Sequence, residues 1–192
     1  MKRPNPAVEI GIMISIMLII YAAGWHTEVI GRIQQVFLKT GLFAPTELSK
    51  SAYKTLETDF ELVDLKGNKL SLEELKGKIV FINFWASWCP PCVAEMPDIN
   101  QLYNDYQGKD IAFILVNLDS DKEKMTKFLA RKDFDFATYV PLSLVPNQLK
   151  SQSIPATFVL NREGQIILEH FGMASYDSDD FRFWLDELIE EI

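Results

Sequence analysis

Cysteine and histidine are scarce in this sequence, two of each among 192 residues, and the scarcity excludes more than it leaves open. A structural disulfide framework needs more cysteines at wider separations, because the loop closed by Cys89 and Cys92 is too short to constrain the unfolded chain much. A structural zinc site needs two ligands beyond a cysteine pair, and the histidines are His26 and His170. A c-type haem site needs His directly after the second cysteine, where Val93 stands. Redox chemistry remains. Basic residues are also in deficit, 19 Lys and Arg against 27 Asp and Glu, and the net charge of -8 repels phosphate backbones, so no nucleic acid partner is expected. There is no internal repeat. Nine Gly and nine Pro exclude collagen-like and low-complexity classes, and 48% hydrophobic residues exclude a disordered chain.

The length allows one domain with a substantial core plus an appendage. The appendage is at the start. Lys2 and Arg3 precede an uncharged run from Ile10 to Trp25, long for a signal-peptide core of about 7 to 15 residues and short for a spanning helix of about 20. Ala22-Ala23-Gly24 offers a cleavage site, but Ile30, Ile33, Val36 and Phe37 recur at helical spacing, as if a helix continued along the membrane surface or toward the domain. An uncleaved single-pass anchor is the favoured reading. The positive-inside rule keeps Lys2 and Arg3 in the cytoplasm and places the rest outside. The expected organisation is a cytoplasmic start at 1–9, a transmembrane anchor at 10–25, an amphipathic helix and linker at 26–55, and a globular domain at 56–192. Gly41 to about Thr55 reads as the linker.

Within the domain, Phe60 to Leu65 alternates apolar and polar residues, Lys66-Gly67-Asn68 supplies a turn, and Ser71 to Leu75 suits a short capped helix. Ile79 to Trp85 is a nearly unbroken apolar run, as expected of a strand covered on both faces. Helix should follow from about Cys89 to Tyr106. Ile111 to Val116 reads as a second buried strand and Lys122 to Arg131 as helix. Thr157 to Leu160 and Ile166 to Phe171 read as strands joined by Asn161-Arg162-Glu163-Gly164, and Asp179 to Ile192 as a closing helix. The acidic end, with Asp177, Asp179, Asp180, Asp186, Glu187, Glu190 and Glu191 opposed by Arg182, reads as a solvated helix face.

Proline is tolerated in the first turn of a helix, so Pro90 and Pro91 place the helix start at Cys89. Unpaired N–H groups and the helix dipole there favour an anion, which lowers a thiol pKa from about 8.5 to between about 3.5 and 7.5. Cys89 is therefore the expected nucleophile, and Cys92, one turn further in, the expected resolving thiol. Glu95 is three residues beyond Cys92 on nearly the same helical face. Spacing alone allows either a proton acceptor for Cys92 or an ordinary solvated Glu. Trp85 reads as core. Pro97 should kink this helix by removing one backbone bond.

The stretch Phe84-Trp85-Ala86-Ser87-Trp88-Cys89-Pro90-Pro91-Cys92, followed by Glu95-Met96-Pro97, resembles the TlpA/ResA-like family of thioredoxin-fold thiol-disulfide oxidoreductases. The resemblance runs from about Phe60 to the C-terminus and takes in Gly77-Lys78, Ile154-Pro155-Ala156-Thr157-Phe158 and Asn161-Arg162-Glu163-Gly164. It implies an α/β thioredoxin-like fold, a central mixed β-sheet flanked by helices. It also implies a cis peptide before Pro155, with the Ile154 backbone facing Cys89 to receive an extended substrate, although the sequence alone equally permits a strand-edge proline. An ordinary thioredoxin carries a buried Asp where this chain has Asn83, which cannot act as a base. The resemblance moves that role to Glu95 and sets Trp88 beside the Cys89 sulfur as an apolar contact for substrate.

The expected activity is reduction of disulfides in exported proteins by dithiol-disulfide exchange, with apocytochrome c among the substrates the resemblance implies. The Cys89-Cys92 disulfide is the redox group, with no cofactor and no metal. A reductase in an oxidising compartment must be recharged, so the resemblance further implies a membrane electron donor. Two alternatives stand: an oxidase of the same fold that donates disulfides, and a copper chaperone using the Cys pair with a His. A peroxidase or a purely structural module has less in its favour.

Overall fold

The structure, a computed structural model, describes residues 5–22, 26–38, 44–57 and 59–191. Lys2, Arg3, Ala23, Gly24, Trp25 and Gly41, on which parts of the targeting and linker readings rest, lie outside the described residues.

The chain opens with helix α1 (Pro6–Ala22), none of whose residues is buried, and helix α2 (His26–Leu38). Among the described residues no single helix is long and apolar enough to cross a membrane. The two helices pass that test only together, and they meet at 100°. At 1.5 Å per residue the 17 residues of α1 reach about 26 Å, a little less than a hydrocarbon core of about 30 Å. In α2, Gly31, Thr27 and Leu38 are buried, while Val29, Ile30, Ile33, Val36 and Phe37 are exposed.

The segment from Gly41 to Thr55, expected to be a linker, joins the sheet in its second half. Glu47 bridges to Leu168, the Leu48 amide donates to the Ile167 carbonyl at 2.8 Å, and strand β1 (Lys54–Thr55) pairs with residues 165 and 166. An edge strand presents unpaired N–H and C=O groups, and these residues cover them.

Strands β2 (Glu61–Asp64) and β3 (Lys69–Ser71) form a hairpin whose turn uses Gly67 at φ 90°. Ser71 then caps the turn Leu72–Leu75 in a reciprocal arrangement with Glu74. Strand β4 (Ile79–Trp85) is buried throughout and leads into helix α3 (Pro90–Asp105). There follow β5 (Ile111–Asn117), α4 (Lys122–Ala130), β6 (Thr138–Pro141), β7 (Ala156–Leu160), β8 (Gln165–Phe171) and α5 (Asp179–Glu190). β3 and β6, of three and four residues, are too short for alternation to reveal in a sequence.

The strands make one mixed sheet in the order β1-β8-β7-β4-β5-β6-β2-β3, with β4, β5 and β6 parallel and the other pairings antiparallel. The period of two along β4 divides the core. Ile79, Phe81 and Trp85 pack on one side with Met96, Ile99 and Leu102 of α3 and with Phe181 and Leu185 of α5. Val80, Ile82 and Phe84 pack on the other with Phe60, Leu62 and Phe158. Asn83 has the parity of Phe81 and Trp85, so a polar side chain is directed from mid-strand toward α3. Antiparallel pairing of Phe84 with Ala156 sets the residues just before β7 against the end of β4.

Candidate active site

Cys89 is the N-cap of α3, and its sulfur accepts a hydrogen bond from the Cys92 amide at 3.2 Å. Pro90 and Pro91 occupy the first helical positions, where a missing N–H leaves nothing unpaired, and the first turn contains no acidic residue. The positive end of α3 therefore meets the Cys89 sulfur with no acid of its own first turn in competition. Cys89 and Cys92 are joined in a disulfide, Cys89 being 3% exposed and Cys92 fully buried.

The turn before Cys89 is pinned from the neighbouring strand end. The Ser87 amide and hydroxyl both donate to the Asp119 carboxylate, which also accepts from the Asn117 side chain at 3.0 Å. Trp88 is 58% exposed beside this turn. Trp85 is core, fully buried against Phe128.

The Ile154–Pro155 peptide is cis, as the family resemblance implies, and the Ile154 carbonyl oxygen lies 3.7 Å from the Cys89 sulfur. Pro155 is buried and Ile154 partly exposed. The Gly172 amide donates to the Pro155 carbonyl at 2.9 Å, tying this loop to the end of β8.

Glu95 is fully buried. One carboxyl oxygen accepts from the Asn83 side-chain amide at 2.7 Å, and the other accepts from the Ala174 backbone amide at 3.2 Å. Burial pushes its pKa from 4.5 up to about 8; the two hydrogen bonds pull it down and Asp98 adds a smaller push upward. The Cys92-to-Glu95 spacing leaves open a proton acceptor for Cys92 or an ordinary solvated Glu, and the carboxyl is buried, so it is not the solvated one. Asn83 also donates to the Thr157 hydroxyl at 2.9 Å, and Tyr176 donates to that hydroxyl at 2.6 Å. Thr157, Ala174 and Tyr176 are site residues that the sequence reading does not single out. Thr157 shares strand parity with buried Val159 and faces Asn83 across the β4–β7 pair, a signal that strand alternation carries. Ala174 acts through its backbone and Tyr176 lies in an irregular stretch, so neither has a sequence signature.

Among the described residues there is no cluster of three or more His, Cys, Asp or Glu that could hold a metal ion. His170 is half-buried, its pKa held below the usual value by burial, with Nε2 3.4 Å from the Met173 carbonyl.

The redoxin family pattern matches residues 52–180, about two thirds of the chain. The thiol-disulfide oxidoreductase ResA of Halalkalibacterium halodurans is 32% identical over 134 residues, which are 69% of this chain and 75% of that protein. ResA of Geobacillus kaustophilus is 34% identical over 122 residues, 63% of this chain and 70% of the relative. Among solved structures, the exposed lipoprotein thioredoxin Etrx1 of Streptococcus pneumoniae superposes with a TM-score of 0.58 at 27% identity, covering 68% of this chain and all of that one. A Chlorobium tepidum protein described as thiol:disulfide interchange protein DsbE gives 0.63 at 28% identity, covering 71% and 97%. With the mixed sheet, the paired cysteines at a helix head and these relatives in agreement, the chain belongs to the redoxin family, among its ResA/TlpA-like thiol-disulfide oxidoreductases.

Proposed function

We propose that this chain is a membrane-anchored, extracytoplasmic reductase of disulfides in exported proteins. The observation that carries the reading is the position of Cys89 as the N-cap of α3, where the Cys92 amide and the helix dipole stabilise a thiolate. In the reduced enzyme the Cys89 thiolate attacks one sulfur of the substrate disulfide. A Cys89–substrate disulfide forms, the substrate S–S bond breaks, and the departing substrate thiolate takes a proton from solvent. Cys92 passes its proton to Glu95 and attacks the Cys89 sulfur, the mixed disulfide breaks, and the second substrate thiolate leaves with the proton from Glu95. The substrate gains two electrons and two protons, and the enzyme is left in its disulfide form. A carboxyl that titrates near 8 suits this exchange, since it both accepts and returns a proton near neutral pH.

Trp88, Ile154 and Pro155 receive the substrate in this reading: the exposed indole gives an apolar contact and the loop before β7 offers backbone beside the sulfur. The Cys pair is its own redox group and no cofactor is required. A membrane electron donor recharges it, and cytochrome c maturation is the process in which such a reductase of exported thiols would serve. The organisation is a cytoplasmic start at 1–9, an anchor at 10–25, the α2 region and linker at 26–55, and the redox domain at 56–192. Support for the anchor comes from the uncharged run Ile10 to Trp25 and from the complete lack of buried residues in α1.

The test is the reduction potential of the full chain in glutathione or dithiothreitol buffers, followed by tryptophan fluorescence because Trp88 adjoins the disulfide. A value at or below about -270 mV is expected of a reductase, whereas one near about -120 mV would make the protein a disulfide donor and overturn the direction.

A further inference from the structure

The groups around Glu95 form a closed circuit. From one carboxyl oxygen it runs to the Asn83 amide, the Thr157 hydroxyl and the Tyr176 hydroxyl, with successive distances of 2.7, 2.9 and 2.6 Å. From Tyr176 it returns through two residues of backbone to Ala174, whose amide donates to the other carboxyl oxygen at 3.2 Å. Both donors that hold the carboxyl therefore meet at Tyr176. Asn83, Glu95, Thr157, Ala174 and Tyr176 are each fully buried, so bulk solvent does not compete for these bonds.

We propose that Tyr176 is a positioning residue that, through Thr157 and through Ala174, sets both hydrogen bonds on Glu95 and so sets the pH at which Glu95 exchanges its proton. The inference rests on Glu95 being the proton acceptor for Cys92. Asn83 presents its amide hydrogens to Glu95 and Thr157, and its carbonyl oxygen is buried without a partner among the described residues. That orientation serves the carboxylate. Reversing the amide would set oxygen against oxygen unless Glu95 held a proton, so amide orientation and protonation state are coupled. Opening the circuit at Tyr176 removes the second donor that anchors the Thr157 oxygen, so that side chain is free to turn and its hold on the Asn83 orientation that serves the carboxylate is relaxed. It also releases the stretch that aims the Ala174 amide. Each change withdraws donation from the carboxylate, and both act in the same sense. With Cys92 held in the disulfide, the other titratable groups near Glu95 are Asp98 on its own helix, Tyr176, whose pKa burial and the Glu95 charge raise, and His170 opposite Thr157; burial lowers the His170 pKa, so that ring is neutral in the alkaline range where Glu95 titrates.

The experiment is a carbon NMR titration of the Glu95 carboxyl in the oxidised full chain in detergent, with the pH profile of mixed-disulfide resolution measured in parallel. Tyr176→Phe keeps the ring in the core and removes the hydroxyl; the midpoint should rise by about half to one pH unit, and the resolution profile should move with it. Thr157→Val opens the circuit one link earlier and should shift the midpoint the same way, while Thr157→Ser, which keeps the hydroxyl, should hold it at the wild-type value. A merely structural tyrosine would lower stability and leave the midpoint alone, and an unchanged midpoint in Tyr176→Phe overturns the proposal. Should that variant fail to fold, equal midpoints in Thr157→Val and Thr157→Ser overturn it. A midpoint that moves without the resolution profile leaves the circuit standing and removes Glu95 from the resolution step.

Discussion

Helices α3 and α5 both begin on a side chain that accepts a hydrogen bond from their own first turn. Cys89 sulfur accepts from the Cys92 amide at 3.2 Å, and the Ser178 hydroxyl accepts from the Phe181 amide at 3.3 Å. The two helices differ just beyond the cap. In α5 the next residues are Asp179 and Asp180, two fixed carboxylates that answer the helix dipole in solvent. In α3 they are Pro90 and Pro91, with no acid in the first turn. The field that α5 spends on surface acids is left in α3 for a sulfur that is 3% exposed. The same backbone device is a stop signal in one helix and a thiolate site in the other, and the two residues after the cap make the difference.

Exchanging the cap atom breaks the comparison most sharply. Cys89→Ser gives α3 the cap of α5 and keeps an oxygen acceptor for the Cys92 amide, so the variant should fold. Its catalysed reduction of a protein disulfide should fall at least about 10³-fold, because a hydroxyl does not ionise where a thiol does. Undiminished exchange would refute the nucleophile assignment. The next largest effect belongs to the carboxyl behind the pair. Glu95→Gln should slow mixed-disulfide resolution by about 10²-fold at neutral pH, and the rise of that rate with pH through about 8 should disappear. The same variant has a stability signature. Because the folded pKa is raised, the folded chain keeps through the window from 4.5 to about 8 a proton the unfolded chain has released, so stability falls as pH rises across it. Glu95→Gln lacks this loss and should exceed the wild type by about 1 to 3 kcal/mol above pH 8, read by denaturant unfolding at both ends of the window.

These two residues are within reach of sequence reading because their information is local. The spacing of Cys89 and Cys92 and the prolines between them locate a helix start, and Glu95 comes one turn later. The apolar run from Ile79 to Trp85 marks a strand buried on both faces, and β4 is that strand. The groups behind Asn83 and Ala174, the direct partners of Glu95, are harder to read. Strand parity turns Thr157 toward Asn83, but Thr157 and Tyr176 are 62 and 81 residues beyond Glu95 and join its network only once β7 has paired beside β4 and the stretch after β8 has packed near α3. The covering of the β8 edge by Glu47, Leu48 and β1 is hidden for the same reason: Pro45 and the polar residues around it look like linker until an unpaired edge is there to receive them. The α2 pattern fits both a membrane surface and the domain, because an apolar stripe says that something covers it without saying what.

Part of what α2 meets is the first turn of α3, which sharpens the contrast, since no comparable helix is placed over the start of α5 among the described residues. A side-chain carbon added to Gly31 would lie 3.1 Å from the Pro90 carbonyl oxygen and 3.2 Å from the Val93 side chain. Glu28 fixes the start of α2 through Arg131 and Lys132, each at 3.2 Å. Gly31→Leu should therefore push α2 off α3 at a cost of about 1 to 3 kcal/mol, seen as faster proteolysis within α2. If α2 stays equally protected, the close approach at Gly31 does not hold the two helices together.

The smallest effect is expected at the other cap. Ser178→Ala removes the hydroxyl that the Phe181 amide donates to and should cost about 1 kcal/mol by denaturant unfolding. Disulfide exchange should be unchanged, because Asp179 and Asp180 still answer the field of α5 and the cap has no other task. The loss could pass to the site by one route. Tyr176 and Phe181 have ring centroids 5.4 Å apart, so a frayed first turn would loosen the aromatic contact that seats Tyr176 beside Thr157. A Ser178→Ala variant that loses stability with an unaltered pH profile means that α5 is capped for its own sake. One that also shifts the profile means that the cap of α5 reaches Glu95, and the two helix starts are then not independent.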